Sequence, residues 1–416
     1  MKEKALLVTV KLEYDKATED VLERERELVE LASAAGAVVA VSDLCNRDKT
    51  TADLYIGKGK AEELAIAVKA KNINCVIFNN DLTGTQHRNL EKMLEAKVID
   101  RTQLILDIFA RRAKSPEGKA QVELAQLQYL LPRLSGKGAE LSRLGGGIGT
   151  RGPGEQKLEQ DRRRVREKII RVKKGLKDIE DRRNIMRERR DEFSLPTVVF
   201  VGYTSAGKST LFNALSGSFQ LVSKGLFTTL DPLLRAIVLS NHQKVVISDT
   251  VGFIRDLPHR IIEAFKATLE EVTQADLLVH VLDISSPKAQ DHFNSVRQVL
   301  GELGALDKKA ILVLNKIDQI GPDGQFERAM RDYPDGVPIS ALKHQNLDKL
   351  LKKMEESLST FSCDVILLVP LEKMELVRLI YREGKVRDIR YGQDSVRIEA
   401  TLPVASADKL RKFIII

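Results

Sequence analysis

The feature that most constrains this chain is an eight-residue loop, GYTSAGKS, at positions 202–209. It follows the β-branched run TVVFV (197–201) and precedes a helical run at 210–215. Glycines at the first and sixth positions let backbone N–H groups wrap phosphate oxygens, and the N-terminus of the following helix adds positive potential. Strand, loop and helix in this order predict a phosphate-binding loop in an α/β domain with a parallel sheet.

We expect the whole loop to contact the phosphates of a nucleotide. Lys208 is predicted to reach the terminal phosphates, and Ser209 is predicted to ligate Mg²⁺. The remaining residues assigned to phosphate binding are Gly202, Tyr203, Thr204, Ser205, Ala206 and Gly207.

A D-x-x-G segment directly follows the predicted strand KVVIS (244–248). Asp249 is predicted to hold Mg²⁺ through a water molecule, and the N–H of Gly252 is predicted to face the terminal phosphate, which makes Gly252 a catalytic candidate. Thr250 and Val251 lie between them and are assigned to the same nucleotide site. Alone the segment is weak, because most Asp-rich turns are only turns.

Two more segments follow predicted strands and are expected to recognise the base. The carboxylate of Asp318 can accept both N1–H and N2–H₂ of guanine, which adenine does not offer, and backbone N–H groups at 340–342 can close over the ring. The residues assigned to base recognition are Asn315, Lys316, Ile317, Asp318, Ser340, Ala341 and Leu342. Four motifs at four strand ends predict a domain that binds GTP or GDP together with Mg²⁺.

A threonine between the first two strands of such a domain is expected to ligate Mg²⁺ when the γ-phosphate is present. Thr228 and Thr229 both fit, and their neighbours Phe227, Leu230 and Asp231 are also assigned to the nucleotide site. The spacing alone does not choose between the two threonines, and a surface turn is the alternative.

Position 253 lacks a group that many GTPases place there. A water-orienting Gln often follows D-x-x-G, whereas this chain has Phe253 and then Ile254. Neither side chain can orient water. We therefore expect a GTPase that is slow alone and is stimulated by a partner that supplies or orders the missing group.

The pattern along the 416 residues predicts an α/β chain with four parts. Within the first part the runs at 5–10, 37–41, 54–57 and 75–78 are predicted strands. The predicted parts are a small parallel α/β domain (1–100), a long antiparallel helical hairpin (101–194) with a glycine-rich tip loop (135–154), a P-loop GTPase domain (195–360) and a small α+β domain (361–416).

The second arm of the hairpin carries an apolar seam and the whole charge excess of the chain. Its seam follows a seven-residue repeat with Arg162 and Arg183 at two skipped positions. The seam residues are Leu158, Val165, Ile169, Val172, Leu176, Ile179 and Met186. Residues 157–190 hold 15 basic and seven acidic residues, a net of +8, which equals the net charge of the chain. The arm and the glycine-rich loop are either an RNA-binding footprint or a solvated helix with a flexible linker.

Composition excludes other classes. No apolar run approaches the ~18 residues of a membrane span, so we expect a cytoplasmic protein. The three cysteines have no paired spacing and predict neither a zinc site nor a disulfide framework.

These motifs resemble the HflX family of ribosome-associated GTPases over roughly residues 5–360. The resemblance rests on the phosphate loop with Tyr203 and Thr204 and on segments elsewhere in the chain. Those segments are IGKGKAEEL (56–64), AQLQYLLPRL (125–134), GGIGTRGPGEQKLEQD (146–161), FTTLDP (227–232) and DTVGFIRDLP (249–258). The family usually has Asn where this chain has Ser205; in related GTPases that Asn helps bind a monovalent cation, so the resemblance does not imply a potassium requirement here.

The resemblance implies a specific function. It selects Thr229 as the switch threonine and Mg²⁺ ligand, and it implies that the N-terminal half with its hairpin binds the large ribosomal subunit and its RNA. Family members separate stalled or idle ribosomes into subunits, with GTP favouring the bound form. We therefore expect a monomer that co-sediments with ribosomes. The alternatives are a signalling GTPase that acts through a coiled-coil protein partner and an RNA chaperone that nucleotide only stabilises.

Overall fold

The computed structural model describes residues 3–13, 18–134, 153–192, 195–217, 233–241, 243–253, 266–321 and 324–415. These residues form two compact units that divide between Ile179 and Glu180. The α/β class is confirmed, whereas the predicted boundaries at 100, 194 and 360 remain predictions. In the described part of the chain, no helix is both long enough and apolar enough to cross a membrane.

The first unit contains a four-stranded sheet in which all strands are parallel, in the order β2-β1-β3-β4. Its strands are β1 (Lys4–Leu12), β2 (Val38–Arg47), β3 (Cys75–Phe78) and β4 (Lys97–Asp100), and its first helices are α1 (Thr18–Ala34), α2 (Lys58–Ala70) and α3 (Gly84–Leu94). All four residues of β3 are buried, as expected for a parallel strand covered on both faces.

One predicted strand of this unit is wrong. Residues 54–57 form a turn, in which Tyr55 has a φ of +64° and makes only an isolated bridge to Thr51. A positive φ is incompatible with a continuous strand, so the apolar side chains Leu54 and Ile56 are buried by a turn instead. The fourth strand of the sheet, β4, was not among the predicted runs.

In the part of the chain that the structure describes, the first sheet is followed by the helices α4 (Arg101–Arg112), α5 (Pro116–Arg133) and α6 (Pro153–Glu192). The predicted break near Pro116 is confirmed, because Ser115 caps α5 by accepting a hydrogen bond from the N–H of Gly118 at 2.9 Å. Lys168 of α6 forms a 2.6 Å ion pair with Glu123 of α5. The antiparallel hairpin remains a prediction. Of its predicted tip loop (135–154), residues 135–152 lie outside the described residues, whereas 153 and 154 already belong to α6.

The seam of α6 is only partly covered. Where the side chains of this helix are described, none is buried. The seam residues among them are half-buried, while most of their neighbours are exposed, and Arg162 at a skipped seam position is half-buried too. These half-buried seam residues are Val165, Ile169, Val172, Leu176 and Ile179. The stripe is therefore distinct but is not a closed core.

The second unit contains a six-stranded sheet in the order β10-β9-β8-β5-β7-β6, in which only β6 runs antiparallel to its neighbour. Its strands are β5 (Thr197–Gly202), β6 (Leu233–Val238), β7 (Lys244–Asp249), β8 (Leu277–Asp283), β9 (Ala310–Asn315) and β10 (Val337–Pro338). Its helices are α7 (Lys208–Ser216), α8 (Lys266–Gln274), α9 (Ala289–Glu302), α10 (Gln325–Asp332) and α11 (Leu347–Ser357). The carboxyl ends of β5, β7, β8, β9 and β10 meet along one edge, where ligands bind in open α/β sheets.

Packing against β5 fixes the position of α7 at this edge of the sheet. The buried rings of Phe200 on β5 and Phe212 on α7 meet edge to face, with centroids 6.4 Å apart. Burial of each ring contributes about 1.5–3 kcal/mol. The pair therefore holds the N-terminus of α7 directly beyond the end of β5.

The chain ends in a small α+β module. Its elements are β11 (Ser362–Pro370), α12 (Met374–Glu383), β12 (Lys385–Tyr391), β13 (Ser395–Pro403) and α13 (Val404–Lys409). The strands form an antiparallel sheet in the order β11-β13-β12, and alternate residues of β13 are buried. The predicted succession of strand, helix, two strands and helix is confirmed.

Candidate functional site

The phosphate loop joins β5 to α7. It contains two residues with positive φ, of which one is a glycine and one is not. Gly207 precedes α7 with a φ of +97°, and a Cβ there would lie 2.3 Å from Nδ2 of Asn315. Only glycine fits this position, because both the backbone angle and the space exclude a side chain. Ser205 also has a positive φ, of 61°, which a non-glycine residue adopts at a cost in free energy.

Lys208 is buried at the start of α7 and holds the loop from inside. Its ammonium donates hydrogen bonds to the carbonyl oxygens of Gly202 and Tyr203, each at 2.9 Å. Burial lowers the pKa of Lys208 to about 8, and the nearby Asp249 carboxylate partly opposes that shift. An ammonium has three donors, so one remains for an anion beside the loop.

Ser209 and Asp249 bring two oxygen groups together beside that lysine. The hydroxyl of Ser209 donates to Oδ2 of Asp249 at 2.6 Å, and Asp249 is fully buried at the end of β7. The next residue, Thr250, is also fully buried and donates its hydroxyl to the carbonyl oxygen of Phe200 at 2.7 Å. Thr250 therefore fixes the direction in which the D-x-x-G segment leaves the sheet.

The D-x-x-G segment packs directly on the phosphate loop. The N–H of Phe253 donates to the carbonyl of Gly202 at 3.1 Å, and the N–H of Thr204 donates to the carbonyl of Phe253 at 2.7 Å. A Cβ on Gly252 would lie 3.1 Å from the Nζ of Lys208, so a side chain there would crowd the ammonium. The ring of Phe253 and the methyl groups of Val251 are buried, and their burial stabilises this contact.

Asn315 connects the phosphate loop with the segment predicted to cover the base. Its Nδ2 donates to the carbonyl of Ala206 at 2.8 Å, and its Oδ1 accepts from the N–H of Ala341 at 3.0 Å. The buried hydroxyl of Ser340 accepts from the N–H of Lys343 at 3.0 Å. Asn315 thus fixes the relative position of two loops that sequence analysis treated as separate motifs.

The other residues assigned to the base lie at the same edge. Lys316 has a φ of +67°, and its ammonium forms a 2.6 Å ion pair with Asp283 at the end of β8. Ile317 and Asp318 lie in a short 3₁₀ turn, where Asp318 is exposed and so accessible to a ligand. Leu342 is also exposed.

Three residues of this unit were missed by sequence analysis. Asp283 is the last residue of β8 as Asn315 is the last residue of β9, and the two are register partners, so strand adjacency was the available signal. His292 of α9 stacks on Tyr203 with ring centroids 4.1 Å apart. His280 of β8 is buried and stacks on Phe293, and burial lowers its pKa to about 3. No sequence signal marked either histidine.

The predicted switch segment spans residues 227–231. Phe227, Thr228, Thr229, Leu230 and Asp231 all lie outside the described residues. Their assignment to the nucleotide site remains a prediction.

The described residues fit a nucleotide with a hard divalent cation. A free ammonium donor, a loop with backbone N–H groups and the N-terminus of α7 offer positive potential to phosphates. The adjacent hydroxyl and carboxylate oxygens of Ser209 and Asp249 are the donor type that Mg²⁺ prefers.

Family comparisons cover most of the chain. A family model described as the N-terminal region of a GTP-binding GTPase matches residues 23–110, and one described as the middle region matches 112–190. A third, described as a 50S ribosome-binding GTPase, matches 197–316.

Individual relatives match along nearly their whole length. A protein of Caldanaerobacter subterraneus subsp. tengcongensis named GTPase HflX is 47% identical over 417 aligned residues, which cover 100% of this chain and 94% of the relative. The GTPase HflX of Escherichia coli is 40% identical and covers 99% of this chain and 96% of the relative. A solved structure of a GTP-binding protein from Sulfolobus solfataricus in complex with GDP is 27% identical, with a TM-score of 0.45, covering 86% of this chain and 99% of that chain.

Proposed function

This chain belongs to the HflX family of GTPases and binds and hydrolyses GTP, and on that premise we propose that it acts on the large ribosomal subunit to separate stalled or idle ribosomes. The observation that carries the proposal is the combination of a phosphate loop, with Lys208, Ser209 and Asp249 beside it, and an exposed, cationic helix in one chain. The matching of residues 197–316 to a model described as a 50S ribosome-binding GTPase supports it.

In this proposal Lys208 contacts the terminal phosphates of GTP with its remaining donor. Ser209 and Asp249, with Thr229 in the GTP state, would hold Mg²⁺, which would neutralise phosphate charge. The N–H of Gly252 donates to the γ-phosphate. The buried position of Lys208 between loop carbonyls supports this assignment, because it fixes the ammonium before GTP arrives.

Base selection is assigned to Asp318, with Asn315 as the residue that positions the surrounding loops. The exposed carboxylate of Asp318 accepts from N1 and N2 of guanine. The two hydrogen bonds of Asn315 to Ala206 and Ala341 support a positioning role, because they already use its amide nitrogen and oxygen.

Hydrolysis is slow in the free protein and faster on the ribosome. Phe253 follows the D-x-x-G segment, is buried, and has no group that orients water. The partner therefore supplies or orders the missing group. We expect purified large subunits to raise GTP turnover, and a free-protein rate equal to the stimulated rate would contradict this.

The surface offered to ribosomal RNA is the charged face of α6. Arg171, Lys173, Lys174, Lys177 and Arg182 are exposed, and no described carboxylate forms an ion pair with them. Unpaired cations on one helix meet phosphates at little desolvation cost. The protein is proposed to be a cytoplasmic monomer that co-sediments with ribosomes.

Co-sedimentation with large subunits tests this surface. Reversal of Lys174 and Lys177 to Glu should weaken GTP-dependent co-sedimentation, whereas the same reversal at Lys349 and Lys352, an exposed pair on α11 with the same spacing, should not. Equal effects of the two pairs would remove α6 from the interface. Deletion of 135–154 should abolish stimulation of turnover and spare nucleotide binding; stimulation that survives the deletion would contradict the role of the loop.

A second candidate is a signalling GTPase with a coiled-coil partner. The half-buried stripe of α6, which includes Val172 and Leu176, favours it because the stripe is not closed by the described residues. Salt dependence separates the two, since phosphate-driven binding weakens steeply as salt rises and a hydrophobic seam does not.

A further inference from the structure

Thr204, the third residue of the phosphate loop, carries a hydroxyl that the fold does not use. Thr204 is 6% exposed, and its Oγ1 has no hydrogen-bond partner among the described residues. Its backbone N–H is satisfied by the carbonyl of Phe253. A buried hydroxyl without a partner lowers stability, so its presence calls for a reason other than folding.

The methyl carbon of Thr204 and the ammonium of Lys208 both lie close to one point beside Gly252. The point where a Cβ on Gly252 would lie is 2.9 Å from Cγ2 of Thr204 and 3.1 Å from Nζ of Lys208. Thr204, Gly252 and Lys208 thus surround one small space. Two of the three, Lys208 and Gly252, are the groups proposed above to contact the terminal phosphate.

Packing accounts for the shape of this side chain and not for its hydroxyl. The methyl group of Thr204 contacts Gly252, where a valine would make the same contact. Valine would do so without burying an oxygen that lacks a partner. The neighbouring position 253 has a buried phenyl ring, which offers neither a donor nor an acceptor.

We propose that the hydroxyl of Thr204 donates a hydrogen bond to the terminal phosphate of GTP and makes Thr204 a residue that distinguishes GTP from GDP. The inference rests on the assignment of Lys208 and Gly252 to that phosphate. GDP has no such group, so its binding does not use the hydroxyl. A hydrogen bond to a charged oxygen is stronger than one between neutral groups.

Calorimetry on the full-length protein with Mg²⁺ tests the proposal, using a non-hydrolysable GTP analogue and GDP as probes. Thr204→Val should weaken binding of the analogue about tenfold and change GDP affinity by less than about twofold. Thr204→Ser, which keeps a hydroxyl on the same carbon, should bind the analogue within about threefold of the wild-type protein.

Thermal unfolding without nucleotide tells whether the hydroxyl of Thr204 stabilises the fold or serves only the nucleotide. Because the hydroxyl has no partner in the fold, Thr204→Val should unfold at a midpoint no lower than that of the wild-type protein. Thr273→Val is the matched control, since Thr273 of α8 donates its hydroxyl to the carbonyl of Glu270 at 2.9 Å, away from the site. It should leave both affinities unchanged.

Two results would overturn the proposal: unchanged affinity of Thr204→Val for the GTP analogue, or a parallel loss for GDP and the analogue. The second would show that Thr204 shapes the loop for both nucleotides. None of these measurements involves ribosomes. A failure of ribosome binding, which would overturn the proposed function, is therefore distinguishable from a failure of this inference.

Discussion

Two buried aspartates stand at the carboxyl ends of parallel strands, one in each unit, and their partners differ. Asp100, at the end of β4, accepts hydrogen bonds from the N–H groups of Leu82 and Gln103 at 3.2 and 2.9 Å and from Arg133 at 2.8 Å. Asp249, at the end of β7, accepts the hydroxyl of Ser209 at 2.6 Å. Both are fully buried.

The comparison shows that position at a strand end does not by itself identify a functional carboxylate. Asp100 caps α4 and ties it to α5, so its charge is used by backbone N–H groups and a guanidinium of the same unit. Asp249 faces a hydroxyl that is itself a Mg²⁺ ligand type, beside a lysine with a remaining donor. The carboxylate at the end of β4 is satisfied by protein groups, whereas the one at the end of β7 lies with a hydroxyl and an ammonium, as the proposed phosphate and metal site requires.

The largest effect on GTP turnover should come from removing the ammonium of Lys208, which lies beside Asp249 in the second unit. Lys208→Ala should lower GTP turnover about a hundred- to a thousandfold, because a positioned donor to developing charge is lost. The nucleotide-free protein should still unfold cooperatively. Steady-state phosphate release measures the effect, with Lys352→Ala on α11 as a surface control. A variant within tenfold of the wild-type rate would contradict the assignment.

Substitution of Asp100, at the end of β4 in the first sheet, should lower stability and leave GTP turnover unchanged. Asp100→Ala leaves the partly buried guanidinium of Arg133 without its carboxylate and should lower the free energy of unfolding of the first unit by about 3–5 kcal/mol. Urea denaturation measures this, and Asp53→Ala, at an exposed position, is the control. If turnover of the isolated protein fell as well, the two edges would not be independent.

A smaller difference is expected between two residues of the second unit, Asn315 and Asp318. Asn315→Ala leaves the carbonyl of Ala206 and the N–H of Ala341 without their partner, which should cost about 1–3 kcal/mol of stability for each group. Asp318→Ala changes an exposed carboxylate and should reduce the preference for guanine without loss of stability. Unfolding curves and competition between GTP and ATP measure the two effects. Equal stability losses would show that Asp318 is structural too.

The smallest effect should be a difference in acid sensitivity. The pKa of His280 is about 3 in the folded protein, below its ordinary 6.5, so the folded state binds fewer protons than the unfolded chain. The stability from this group is therefore present above pH 6.5 and is lost as pH falls toward 3. Between pH 8 and 5 the loss is about 2 kcal/mol.

His280→Phe keeps a flat ring against Phe293 and should remove that part of the pH dependence. The second unit of the variant, followed by denaturation at several pH values, should lose less stability in acid than the wild-type unit. The same substitution at His87, on α3 of the first unit, should not change the acid response of the second unit. An unchanged response in His280→Phe would show that other groups cause the acid loss.

The sequence predicted regular elements well and irregular ones poorly. The strands of the GTPase domain and the loop at 202–209 were predicted because β-branched runs and glycine spacing are local properties. The run at 54–57 failed because burial of Leu54 and Ile56 follows from tertiary packing of a turn, which an apolar run does not distinguish from a strand. The stacking of His292 on Tyr203 joins residues far apart in sequence.

By itself the sequence determined the α/β fold and the family, and it predicted the phosphate and guanine motifs, since each depends on residue type at short spacing. Only the tertiary structure decided what those residues contact. It placed Asn315 between two loops, paired Lys316 with Asp283, and left the hydroxyl of Thr204 buried without a partner among the described residues. Such contacts arise where neighbouring strands end together, and strand order is set by packing of the whole sheet rather than by any one segment.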